Sequence, residues 1–95
     1  MKKLSKVEVT KKLKKLAGWK LVKGRNAITK IFKFKDFIEA FRWMTSMALY
    51  AEKKDHHPEW FNVYSTVEVT LSTHDAGGVT NLDTDMAREM NRTSK

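Results

Sequence analysis

Residues 55–72 read DHHPEWFNVYSTVEVTLS, and the division of this stretch between helix, turn and strand decides the fold. Pro58 cannot continue a helix and biases His57 towards extended backbone, so a helix arriving from upstream ends near Lys54 and a strand begins beyond the proline. Phe61 and Val63 alternate with Trp60, Asn62 and Tyr64. After a turn at Ser65-Thr66, Val67, Val69 and Leu71 alternate with Glu68, Thr70 and Ser72. Period two of this kind predicts a β-hairpin with one apolar face.

Upstream, Asp36 stands as a helix cap with Glu39 three residues on. Phe37, Phe41, Met44 and Ala48 form a helical stripe that Ala40, Met47 and Ala51 continue. Before it, Trp19 to Lys23 and Ala27 to Phe34 read as strands around the turn Gly24-Arg25-Asn26. Ile28, Phe32 and Phe34 share one face and Ile31 takes the other, which predicts a sheet covered on part of both faces. Ser5 and Glu8 have the form of a capping box, Val9, Leu13 and Leu16 follow at helical spacing, and Gly18 is the stop, giving a helix over 6–17. Downstream, His74 to Gly78 is a loop and Thr80-Asn81-Leu82-Asp83 opens a third helix with Leu82, Met86 and Met90 on its core stripe, followed by a polar tail. The order is α-β-β-α-β-β-α. It predicts a single α+β domain over 1–95, a four-stranded, mainly antiparallel sheet with three helices packed on one face.

The chain has 95 residues with 41% hydrophobic content, enough for one core. Cysteine is absent, which removes disulfides, thiolate nucleophiles and cysteine-based metal sites. The basic N-terminus leads into no apolar signal segment, and no window approaches the ~18 apolar residues of a membrane span. A soluble, uncleaved, cytoplasmic protein is expected. Charge is uneven: residues 1–35 carry 13 Lys and Arg against Glu8 alone, whereas residues 36–95 carry 6 against 10 acids. A basic half of this kind is either the solvated face of a helix and hairpin or a surface for nucleic acid or a regulatory partner.

All three histidines lie just past the ends of predicted elements: His56 and His57 after the second helix, His74 after the fourth strand. Pairing through a Ser65-Thr66 turn sets residue 57 opposite a position near 74, so the three imidazoles converge on one end of the sheet. Imidazole exchanges protons near neutrality, and several such groups suit a reaction that gives a proton to a leaving oxygen and takes another nearby. Hydration or dehydration of a small molecule has that requirement. Plainer roles stand beside it. His56 or His57 is also the residue a helix C-terminus favours, Asp83 the third-position acid of a capping box, and Trp60 and Tyr64 ordinary sheet packing. A zinc site of His56, His57, His74 and a carboxylate lacks a His-x₃-His spacing.

Glu52, His56-His57-Pro58, Tyr64, His74 and Asp83, with the texture HHPEWFNVY (56–64) and VEVTLSTHDAGGVTNLD (67–83), resemble the pterin-4a-carbinolamine dehydratase family. The strongest match spans Glu52 to Ala87, and the element order extends it over nearly the whole chain. The resemblance implies an enzyme without cofactor or metal that removes water from 4a-hydroxytetrahydrobiopterin to give quinonoid dihydropterin in tetrahydrobiopterin recycling. It makes His56, His57 and His74 the acid–base residues of the pterin pocket. Glu52 and Asp83 become supporting polar groups that bind substrate, with Trp60 beside them. It further implies a homodimer or homotetramer. One position departs: before the last aspartate, where the family often has a basic residue, stands Leu82. A non-catalytic protein that keeps the fold and uses the basic residues 1–35 for nucleic acid or a regulatory partner is the alternative.

Overall fold

Three capping arrangements start the helices where the sequence places them. Ser5 Oγ accepts the Glu8 amide at 3.1 Å while the Glu8 carboxylate accepts the Ser5 amide at 2.8 Å, opening α1 at Lys6–Leu13. Asp36 Oδ1 accepts the Glu39 amide at 2.9 Å, opening α2 at Phe37–Lys54. Thr80 and Asp83 form a second reciprocal box at the head of α3, Asn81–Thr93. The computed structural model, which describes residues 1–95, shows α1 shorter than the predicted 6–17. Its last turn tightens, with Lys15 and Leu16 donating three residues back to Lys12 and Leu13, before Gly18 at φ +83° reverses the chain.

The strands are β1 (Lys20–Leu21), β2 (Ile28–Lys33), β3 (Glu59–Val63) and β4 (Thr66–Leu71). They form one antiparallel sheet in the order β1-β2-β4-β3. Ile28, Phe32, Val67, Val69 and Leu71 project into the core against Val9, Leu16, Trp43, Met47, Met86 and Met90. Phe32 packs between Trp19 and Trp43, with ring centroids 5.9 and 4.6 Å away. The two buried indoles keep partners: Trp19 Nε1–H donates to Asn91 Oδ1 at 3.1 Å and Trp43 Nε1–H to Thr93 Oγ1 at 3.0 Å. No helix is long and apolar enough to cross a membrane.

Two faces differ from the sequence expectation. In the second hairpin Val63 pairs with Thr66, so Tyr64 and Ser65 make the turn, with Tyr64 at φ +50°. The predicted Ser65-Thr66 turn is displaced by one residue, which moves each β3 partner two residues along β4 and leaves the faces unchanged, with Phe61 opposite Glu68 and Trp60 opposite Val69. Trp60 therefore faces the core, 6.4 Å from Trp43, while Phe61 and Val63 lie exposed on the far face with Ile31. That face carries no helix from this chain, so the sheet is not covered on both sides. On α2 the buried residues are Ala40, Trp43, Met47 and Ala51. Phe37 and Phe41, read from the periodicity as core, stack on each other at 5.5 Å and are exposed. The indole of Trp43, long enough to reach Phe32 and Phe34, rotates the buried stripe by one position.

These assignments separate two substitutions. Met86→Ala, at a fully buried position, should lower unfolding free energy in denaturant titration by about 2–5 kcal/mol. Phe61→Ala should change it by no more than about 0.5 kcal/mol in the isolated chain.

Candidate active site

The end of α2 places the first two histidines. Asp55 adopts the left-handed conformation at φ +51°. Its amide donates to the Glu52 carbonyl at 3.3 Å and the His56 amide to the Ala51 carbonyl at 3.0 Å. This pair of reverse bonds is a Schellman closure, with Asp in the place glycine usually takes. Pro58 follows and β3 begins at Glu59. The reversal turns His56 inward, 8% exposed, and leaves His57 at the surface.

Asp83 receives His56. His56 Nε2 lies 2.6 Å from Asp83 Oδ1, and Asp83 is fully buried. The other carboxylate oxygen, Oδ2, accepts the Thr73 hydroxyl at 2.8 Å and the Thr80 amide at 2.9 Å. Thr73 spends its proton on Asp83, so the 2.7 Å contact between the Thr73 and Thr80 hydroxyls is donated by Thr80; Thr80 Oγ1 in turn accepts the Leu82 amide at 3.2 Å. The network has one direction, Leu82 N–H to Thr80 to Thr73 to Asp83, and no buried side-chain polar atom in the protein lacks a partner. Because a carboxylate only accepts, Nε2 of His56 is the protonated nitrogen and Nδ1 is left free of the anchor. His57 repeats the pattern in solvent: its Nε2 lies 2.8 Å from Glu52 Oε1, with the two side chains 58% and 80% exposed.

His74 opens a single 3₁₀ turn, His74–Ala76, pinned where Thr73 and Gly78 bridge across the loop. The β3–β4 pairing ends at Glu59 opposite Thr70, and its register, continued outward, would bring His57 to Ser72, two residues short of 74. Even so, His56, His57 and His74 all line one cavity of ≈ 430 Å³, together with Asp55, Ser72, Asp75 and Leu82. Leu82 is half-buried in its wall instead of in the core. Glu52 and Asp83 do not line the cavity; each touches a histidine that does. Trp60 is also absent from the lining and belongs to the packing under the sheet. The sequence marks Thr80 only as the opening of the third helix and does not single out Thr73, although Thr73 continues the inward series Val67, Val69, Leu71 and is a polar residue at a core position. Ser72 and Asp75 gave no such signal. No group of three or more His, Asp or Glu side chains is placed to hold a metal ion.

Comparison with known proteins gives a consistent result. The family model described as Pterin 4 alpha carbinolamine dehydratase matches residues 2–93. Proteins provisionally named pterin-4-alpha-carbinolamine dehydratase from Brucella ovis and Brucella melitensis biotype 1 are each 59% identical over 88 residues, covering 93% of this chain and 91% of theirs. A crystal structure described as a transcriptional coactivator/pterin dehydratase from Brucella melitensis superposes with a TM-score of 0.96 at 56% identity. The match covers 98% of this chain and 99% of that one.

The two carboxylates predict opposite costs. In Asp83→Asn, an amide oxygen that keeps the Thr73 and Thr80 donors turns its N–H₂ to His56, whose Nε2 must give up its proton and accept, and the charge-assisted hydrogen bonds of the carboxylate are lost. Denaturant titration should show a loss of about 1–3 kcal/mol. Glu52→Gln, at an exposed pair, should leave the unfolding midpoint unchanged.

Proposed function

Because the chain belongs to the pterin-4a-carbinolamine dehydratase family, we propose that it is a hydro-lyase acting on 4a-hydroxytetrahydrobiopterin and releasing water and quinonoid dihydropterin. The observation that carries this reading is the cavity bordered by three histidines, two of them with Nε2–H held by carboxylates. The reaction breaks the C4a–O bond and the neighbouring ring N–H bond and forms a C=N bond between those two atoms. One imidazolium gives its proton to the departing hydroxyl, which leaves as water. A neutral imidazole takes the proton from the ring nitrogen, and the electron pair of that N–H bond becomes the new double bond. A carboxylate behind an imidazole orients the ring and stabilises its protonated form, so His56 with Asp83 and His57 with Glu52 are suited to hold a proton between steps. His74 has no side-chain partner of its own, leaving both ring nitrogens for substrate. Glu52 and Asp83 are then positioning residues that act through the histidines, and Trp60 supports the sheet beneath the pocket.

The exposed stripe of Phe37, Ile38, Phe41 and Leu49 on α2, and the bare sheet face of Ile31, Phe61 and Val63, support self-association as a homodimer or homotetramer. A cytoplasmic location fits the absence of cysteine. Lys11, Lys12, Lys14, Lys15 and Arg88 line a separate shallow concavity. It shares no residue with the histidine cavity, and a nucleic-acid role for it rests on charge alone.

The test is to generate the carbinolamine in situ with a pterin-dependent hydroxylase and follow quinonoid dihydropterin by absorbance. Wild type should accelerate its formation, and His57→Ala and His74→Ala should each lose roughly 10²-fold or more, the usual share of a positioned acid or base. A wild-type rate equal to the uncatalysed one contradicts the proposal.

A further inference from the structure

The histidine cavity adjoins a second one. A cavity of ≈ 260 Å³ shares Ser72 and His74 with it and is otherwise walled by Arg25, Asn26, Glu59 and the Gly77-Gly78 backbone, with no hydrophobic residue. Its outer wall is an ion pair across the end of the sheet. Arg25, in the β1–β2 turn, donates from Nη1 to Glu59 Oε1 at 2.8 Å and from Nη2 to Oε2 at 2.7 Å. Glu59 starts β3, at the opposite edge of the sheet from β1, so the pair passes over the ends of β2 and β4, where Ser72 lies. The hydrogen bond from Arg25 holds the Glu59 carboxyl below the usual carboxylate range.

The floor is equally determined. Asn26 Oδ1 accepts the Val79 amide at 3.0 Å and the Asn26 carbonyl accepts the Ser72 hydroxyl at 2.8 Å. Asn26 Nδ2 and the Ser72 lone pairs remain unspent. A Cβ on Gly78 would stand 2.6 Å from Asn26 Cγ, so only glycine there lets the amide lie against the loop. The two charges of the wall cancel, which removes any call for an anionic group. What the cavity offers is a mixture of donors and acceptors: the remaining guanidinium N–H groups, the remaining carboxylate lone pairs, an amide and a hydroxyl.

We infer that this cavity is a subsite for a hydroxylated, uncharged side chain on the bicyclic substrate, and that Arg25 and Glu59 set the preference for it. The inference rests on the dehydratase reading above. With the ring system among the three histidines, a substituent passing His74 enters a cavity that can give and accept hydrogen bonds at every wall, whereas an alkyl group there leaves those groups without return.

The experiment measures kcat/KM for two carbinolamines generated in situ, one from tetrahydrobiopterin with its dihydroxypropyl group and one from 6-methyltetrahydropterin. It uses wild type, Glu59→Ala and the Arg25→Ala/Glu59→Ala double variant. Wild type should prefer the hydroxylated substrate by about tenfold, the worth of one hydrogen bond to a charged group. The ratio should fall to within about twofold in both variants. Taking the ratio within each preparation removes any effect of partial unfolding. Equal wild-type values, or a preference that survives in the double variant, overturn the subsite while leaving the dehydratase reading standing. No catalysis of either substrate by wild type overturns the dehydratase reading and the subsite with it.

Discussion

The buried carboxylate of Asp83 is the constraint on which the histidine-lined end of this protein depends. An unpaired charge in that position costs several kcal/mol, and the fold meets the cost with donors from three separate segments. These are His56 after α2, Thr73 after β4 and Thr80 at the head of α3. None of these segments can move without stranding the charge. The network thus serves two purposes with the same atoms. It caps a helix and closes the 73–80 loop, and it fixes which nitrogen of His56 carries the proton.

The three histidines consequently differ although they share a cavity. His56 is buried and anchored to a carboxylate that has no other freedom. His57 has a carboxylate partner that solvent screens, so its ring can reorient and exchange protons with water. His74 sits on a one-turn 3₁₀ segment whose backbone is pinned but whose ring is unpartnered. The dehydration proposed above, which gives one proton and takes another, would benefit from such inequality, because identical imidazoles would compete for the same state.

Much of this was legible in the sequence because the signals were local. Ser5 with Glu8 and Thr80 with Asp83 are capping boxes readable from spacing, and Pro58 marks the stop of α2. The gathering of the histidines followed from element ends alone. What was not legible depended on choices made across the fold. The β3–β4 turn falls at Tyr64-Ser65, with Tyr64 left-handed, and Phe61 and Val63 lie outside because a two-residue turn at either position pairs them with the even-numbered residues of β4, on the face away from Val67, Val69 and Leu71. The stripe of α2 was misplaced because Trp43, absent from the periodic series, fills the space above Phe32. Asp83 could be read both as a cap and as a partner of the histidines, and the structure shows it capping α3 while it holds His56. Arg25 and Glu59 lie 34 residues apart on opposite edges of the sheet, and nothing in their local sequence joins them.

If one carboxylate sets both the architecture and the proton inventory of the site, the most direct measurement is the tautomer of His56. Nitrogen-15 NMR of histidine-labelled protein distinguishes a protonated ring nitrogen from one bearing a lone pair. Nε2 of His56 should carry a proton in wild type and a lone pair in Asp83→Asn, where the amide can donate to it. A lone pair on Nε2 in the wild-type protein, or an Nε2 still protonated after the substitution, would contradict this account.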